Sequence, residues 1–145
     1  MANFKIVENN IDKVLDELDS DIEEILTMIG IKAEKYAKAR CPVGTPESTG
    51  KKGYRGGTLR NSITFELTQF GSDNAVVVGT NVEYAPYVEL GTGPFFESPP
   101  AWEEFDSVSG SGSGKGYVRP RPYLKPAIQD HLDVYSKIIR DGLSK

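Results

Sequence analysis

Few residues in this chain have types and spacings that could do chemistry. The run Ser111-Gly112-Ser113-Gly114-Lys115-Gly116 sets glycines ahead of a lysine, as phosphate-cradling loops do. Such a loop needs glycine five residues before the Gly-Lys step, where this chain has Ser109. It also needs a hydroxyl after the lysine to reach magnesium, where this chain has Gly116. No buried strand leads into it, and its composition is that of a solvated linker. His131 is the single histidine; its neighbours Asp130 and Asp133 point elsewhere on a helix and cannot orient it as a base. Cys41 is the single cysteine. It ends a helical stretch, where the helix dipole raises a thiol pKa and makes a poor nucleophile. The acids between Glu8 and Glu24 lack the glycine-centred loop of a calcium site and read as a solvated helix face.

Composition agrees. One cysteine and one histidine exclude an intrachain disulfide, a cysteine zinc site and a multi-histidine metal site. A hydrolase triad lacks its parts, and no Gly-x-Ser-x-Gly elbow occurs. Seventeen lysines and arginines stand against 21 acids, a net charge of −4, which argues against a dominant nucleic-acid-binding role. No apolar run approaches the roughly 20 residues needed to cross a bilayer. The opening Met1-Ala2-Asn3-Phe4-Lys5-Ile6 lacks the apolar core of a signal peptide. The expectation is one non-enzymatic domain over residues 1–145, with no cofactor, no metal and no membrane segment.

The elements that must organise this chain follow from periodicity. Ile11, Val14, Leu15, Leu18, Ile22, Ile25, Leu26 and Ile29 fall on one helical stripe, with acids around them. Lys32, Lys35, Lys38 and Arg40 follow, so acids lead and bases trail, as the macrodipole favours. One helix is predicted over residues 8–40, with Gly30 as a place to bend and Pro42 as the stop. Residues 41–57 read as a basic loop. A hairpin is predicted within 58–81, with strands at 62–68 and 75–80 around the turn residues Gly71-Ser72-Asp73-Asn74. Residues 82–93 suit a short helical turn, and 94–118 a second long loop. A last helix over 122–143 places Leu124, Ile128, Leu132, Tyr135, Ile139 and Leu143 on its apolar face. The class is α+β: a small antiparallel sheet with the N-terminal and C-terminal helices on one face, and two long loops. Leu18 and Leu132 count as core on this reading, so aspartate at either is expected to unfold the domain.

Three motifs carry more than periodicity. They are Gly57-Thr58-Leu59-Arg60-Asn61-Ser62-Ile63; then Val78-Gly79-Thr80-Asn81-Val82-Glu83-Tyr84-Ala85-Pro86-Tyr87-Val88-Glu89-Leu90-Gly91-Thr92-Gly93; then Arg119-Pro120-Arg121-Pro122-Tyr123-Leu124-Lys125-Pro126-Ala127. In this order, between two helices, the chain resembles the gene-product-ten-like family of siphophages and prophages. Those proteins are tail-completion or head–tail-joining components, also described as minor capsid or tail-component proteins. The middle motif is the most specific, and the resemblance spans nearly the whole chain.

The resemblance implies a structural subunit of a tailed-phage or prophage particle, at the head–tail junction or in the tail, meeting connector and tail proteins. It also implies a ring of copies, with six favoured by tail symmetry. The residues themselves supply a candidate interface. Lys51, Lys52, Arg55 and Arg60 are a basic group that can meet the acidic first helix of a neighbour. Phe95, Phe96 and Trp102 are clustered aromatics of the kind interfaces use, Tyr84 and Tyr87 share one side of a turn, and Glu83 or Glu89 can pair with Arg119 or Arg121. Packing of the domain's own core is the competing role for the tyrosines, Tyr123 included. The alternative function is a prophage-encoded DNA-binding regulator. That would need a basic recognition helix, and neither long helix has the charge for one.

Overall fold

The computed structural model describes residues 10–53, 55–92 and 119–144. One long helix, α1 (Ile11–Arg40), runs unbroken through Gly30. That glycine serves close packing rather than a bend: a Cβ there would collide with the Phe65 ring, which lies directly on the helix backbone. Pro42 stops the helix as expected, and Cys41 is already extended.

The stretch read as a basic loop contains a short helix, α2 (Pro46–Thr49). Thr45 and Ser48 form a reciprocal capping box, with proline at the first helical position, so one turn of helix is locally self-sufficient. The start of the expected hairpin is also helical. Gly57, at a φ of 108°, turns the chain into α3 (Thr58–Ser62). The hairpin proper is β1 (Thr64–Phe70) and β2 (Asp73–Gly79), antiparallel, with Thr64 opposite Gly79 and Phe70 opposite Asp73. Its loop is only Gly71-Ser72, shorter than the predicted four residues. Gly71, at a φ of 63°, supplies the left-handed conformation that a two-residue turn requires. The short turn is α4 (Ala85–Leu90). The loop expected over 94–118 lies outside the described residues.

The expected last helix is two helices, α5 (Leu124–Gln129) and α6 (Leu132–Leu143). Three contacts hold the break. Arg40 pairs with Asp130 at 2.9 Å, His131 stacks on Tyr36 with centroids 3.6 Å apart, and the Tyr135 hydroxyl donates to the Ala127 carbonyl. Ala127 and Tyr135 both face the core on either side of the break. His131, expected to be structural, packs on the Tyr36 ring of α1.

The architecture is α+β, with the helices on one face of a two-stranded sheet. Two buried clusters form the core. One joins Ala37, Cys41, Leu59, Ile63, Ala85, Tyr123 and Ala127; the other joins Ile25, Ile29, Ala33 and Tyr135. Tyr36 and Val78 touch both. Helix α6 runs antiparallel to α1: His131 lies on Tyr36, and Gly142 lies against Ile25 so closely that a Cβ would strike it.

The apolar stripes are only partly core, which corrects the expectation drawn from them. On α1 burial begins near Ile25, while Val14, Leu15 and Leu18 are 58%, 52% and 43% exposed. On α6 the buried line passes through Tyr135 and Gly142, whereas Leu132, Ile139 and Leu143 are exposed. Leu18 and Leu132 are therefore not sites where a charge would be buried. On α6 the reason is facing, since Leu132 lies to the side of the line through Tyr135 and Gly142; on α1 it is length. Helix α6 ends beside Ile25, and α1 continues beyond it.

Candidate interaction surface

The three motifs meet in one place. Leu59 and Ile63 of the first, Ala85 of the second, and Tyr123 and Ala127 of the third share one buried cluster. The Ser62 and Thr80 hydroxyls hydrogen-bond to each other, and Thr80 Oγ1 also accepts the Val82 N–H at 3.2 Å. Short polar side chains thereby tie the end of the hairpin to the entry of α4.

The second and third motifs are joined through Glu89. Its Oε2 accepts the backbone N–H groups of Tyr123 at 2.7 Å and Leu124 at 3.0 Å, and its Oε1 accepts that of Lys125 at 2.9 Å. Flanking prolines explain the selection. Pro122 and Pro126 have no N–H, so the orphan donors at the start of α5 are those of residues 123 to 125, and one carboxylate takes all three. The Arg121 N–H donates to the Val88 carbonyl at 2.8 Å beside it. Glu89, the acid expected to pair with Arg119 or Arg121, uses both oxygens in this cap. Backbone donors fixed by the fold suit it well, because no rotamer freedom must be lost to present them.

Tyr123 is fully buried, and its hydroxyl has no hydrogen-bond partner among the described residues. Burial pushes its phenol well above the ordinary range, with Cys41, Glu89 and Tyr84 adding to the effect. Burial likewise raises the Cys41 thiol, with Arg60 acting in the opposite sense. Cys41 is thus a poor nucleophile, mainly through desolvation. An apolar cleft of about 530 Å³ opens beside this core, walled by Val78, Val82, Pro86, Tyr123 and Leu124.

The remaining candidate residues lie on the surface. Lys51, Lys52 and Arg55 are exposed between α2 and α3, and Arg60 is exposed on α3. Glu83 is exposed, as are Arg119 and Arg121. Tyr84 and Tyr87 are 46% and 38% exposed at the start and middle of α4, so of the three motif tyrosines only Tyr123 packs the core. Phe95, Phe96 and Trp102 lie outside the described residues. The basic group and the acidic turns of α1 therefore sit on different elements of one domain. Among the described residues no group of His, Cys, Asp and Glu side chains is placed to hold a metal ion, and no helix is long and apolar enough to cross a membrane.

Two features escape a reading of the sequence. The capping role of Glu89 was signalled only by the prolines bracketing three backbone donors. The second apolar stripe of α6 was signalled by an apolar arc wider than one contact needs.

Comparison with known proteins adds the biological setting. No curated protein and no solved structure matches the chain. A family model described as "Bacteriophage HK97-gp10, putative tail-component" matches residues 6–91, which spans α1, the hairpin and α4 and so includes the first motif and the second as far as Gly91. The chain therefore belongs to the HK97 gp10-like family of bacteriophage tail-component proteins.

Proposed function

We propose that this protein is a non-enzymatic structural subunit that acts in head–tail joining or tail completion. It works as a ring of identical copies in the virion, in contact with connector and tail proteins, and six copies match the symmetry of a tail. A closed ring needs heterologous contacts, so each copy must present two different, complementary surfaces. The observation that carries the reading is the separation of sign. Asp12, Asp16 and Asp19 are exposed at one end of α1, and Lys52, Arg55 and Arg60 are exposed near α3. Such charges steer encounter and set register between neighbours.

The test is a phage or prophage from which the coding sequence is deleted. Separate full heads and separate tails, joined again when the protein is supplied, are the expected outcome. Complete infectious particles from the deletion would overturn the proposal.

A further inference from the structure

The apolar cleft borders the free edge of β2. Val78 and Gly79 line it together with Ala85 and Pro86 of α4, and Tyr123 and Leu124 complete its wall. In a hairpin closed by a two-residue loop, Phe70 and Asp73 exchange both their hydrogen bonds, and the pairs alternate from there. Val78, opposite Phe65, falls in a pair that exchanges none, so its N–H and C=O point outward along the edge. Among the described residues no backbone hydrogen bond outside the ladder reaches either strand. An outward-pointing main chain beside an apolar cleft suits an extended segment. The segment's backbone pairs with the strand edge, and its alternate side chains enter the cleft.

Charge and pattern select the occupant. Two carboxylates, Glu83 and Glu89, and no cation line the cleft. Glu89 is taken up by the cap, while Glu83 is exposed. Phe95-Phe96-Glu97 and Trp102-Glu103-Glu104-Phe105-Asp106 carry acids and no cation, so either would set like charge against Glu83. Tyr117 and Val118 are adjacent, so an extended strand would turn only one of them into the cleft. Phe4-Lys5-Ile6 alternates instead: two apolar side chains fall on one side, a cation on the other, and no acid occurs before Glu8.

That segment cannot reach the cleft of its own chain. Ala85 and Tyr123 share a cluster with Ala37 and Cys41, so the cleft lies at the C-terminal end of α1. From Ile11 to Ala37 the helix runs about 40 Å, whereas Phe4 is at most about 20 Å of chain from Asn10.

We propose that Phe4 and Ile6 enter the cleft of a second copy of this chain, paired along its β2 edge, with Lys5 beside Glu83. The contact is heterologous: each copy gives its N-terminal segment to one neighbour and its cleft to the other, which propagates into a ring. The same two ends carry the opposite signs described above. Asp12, Asp16 and Asp19 follow the inserted segment, and Arg60 follows Leu59 of the cluster that holds Tyr123. One docking event therefore serves both contacts. The inference rests on the ring reading above and supplies its apolar anchor.

The experiment places the photo-reactive residue p-benzoylphenylalanine at Phe4 of the full chain. Assembled particles containing isotope-labelled and unlabelled copies are irradiated, so that adducts between copies are identified. Adducts from residue 4 to residues 78–89 or 123–124 of another copy are expected. Adducts within one chain, to a different protein only, or to nothing would overturn the inference. In parallel, Phe4→Ser with Ile6→Ser is expected to leave the melting temperature unchanged and to lower incorporation into particles at least tenfold. Lys5→Glu is expected to lower incorporation at low salt, and Glu83→Lys in the same chain to restore it. Full incorporation of the double serine variant, or no rescue by Glu83→Lys, would also overturn the placement. Head–tail joining is judged separately by the deletion phenotype. Adducts between copies in a protein dispensable for joining would leave this contact standing and remove the proposed role.

Discussion

The Glu89 carboxylate lies 2.7 Å from the backbone nitrogen of Tyr123, 34 residues further along the chain, and caps the helix that Tyr123 precedes. Through this contact the start of α5 is fixed to α4, and the fully buried Tyr123 ring is held between them. Glu89→Ala removes the acceptor for three backbone donors at once. The expected loss is about 2 kcal/mol, from a helix cap with charge-assisted bonds. Glu89→Gln keeps the shape but not the charge and is expected to lose less. Urea unfolding of the two variants beside the parent checks this order, and equal stability of all three would show that solvent replaces the cap at no cost.

Tyr123 and Tyr135 make a contrasting pair. The Tyr135 hydroxyl donates to the Ala127 carbonyl, and the Tyr123 hydroxyl has no partner among the described residues. Tyr135→Phe should therefore destabilise by about 1 kcal/mol, while Tyr123→Phe should be neutral or stabilising. The alkaline limb gives an independent check. Burial raises the acid groups Cys41, Tyr123 and Tyr135 in the folded state, so the folded chain holds protons that the unfolded chain has lost. Stability is then complete below the unfolded values and falls as pH rises past roughly 8.5 for the thiol and 10 for the phenols. Tyr123→Phe should flatten the fall above about pH 10. An unaltered slope in thermal melts between pH 9 and 11 would contradict the burial of that hydroxyl.

Leu18 and Leu132 should tolerate aspartate in the isolated domain, with changes of about 0.5 kcal/mol, since both side chains are open to water. Ile29→Asp is the opposite case. Ile29 is 8% exposed in the second cluster, and a charge there costs several kcal/mol out of a total of roughly 5–15. Circular dichroism melts of the three variants should leave the first two folded and the third unfolded. Unfolding of Leu18→Asp would mean that the first turns of α1 are covered within the monomer.

Lys51, Lys52 and Arg55 changed together to Glu should leave the melting temperature nearly unaltered, because exposed charges contribute little to folding. The same triple change should reduce the joining of heads to tails, most of all at low salt, where repulsion from a neighbour's α1 is least screened. Particle counts from reconstituted heads and tails at two ionic strengths measure both effects. Full joining at low salt would remove this surface from the interface.

Much of the fold was legible in the order of residues because its signals are local. The 3.6-residue period of α1, the stop at Pro42 and the Gly71 turn depend on neighbours a few positions away, as does the α+β class they imply. The three motifs likewise carry the resemblance to the phage tail-component family in residue order alone. Tertiary structure decided which parts of those periodic faces are core. Leu18 and Ile29 share one stripe in the sequence, but the end of α6 beside Ile25 leaves one in water and buries the other. It also decided that Glu89 caps a helix, since that role depends on donors more than 30 residues away being presented with their orientation already fixed. Periodicity records which face of a helix is apolar; the reach of its neighbours determines how much of that face the domain covers by itself.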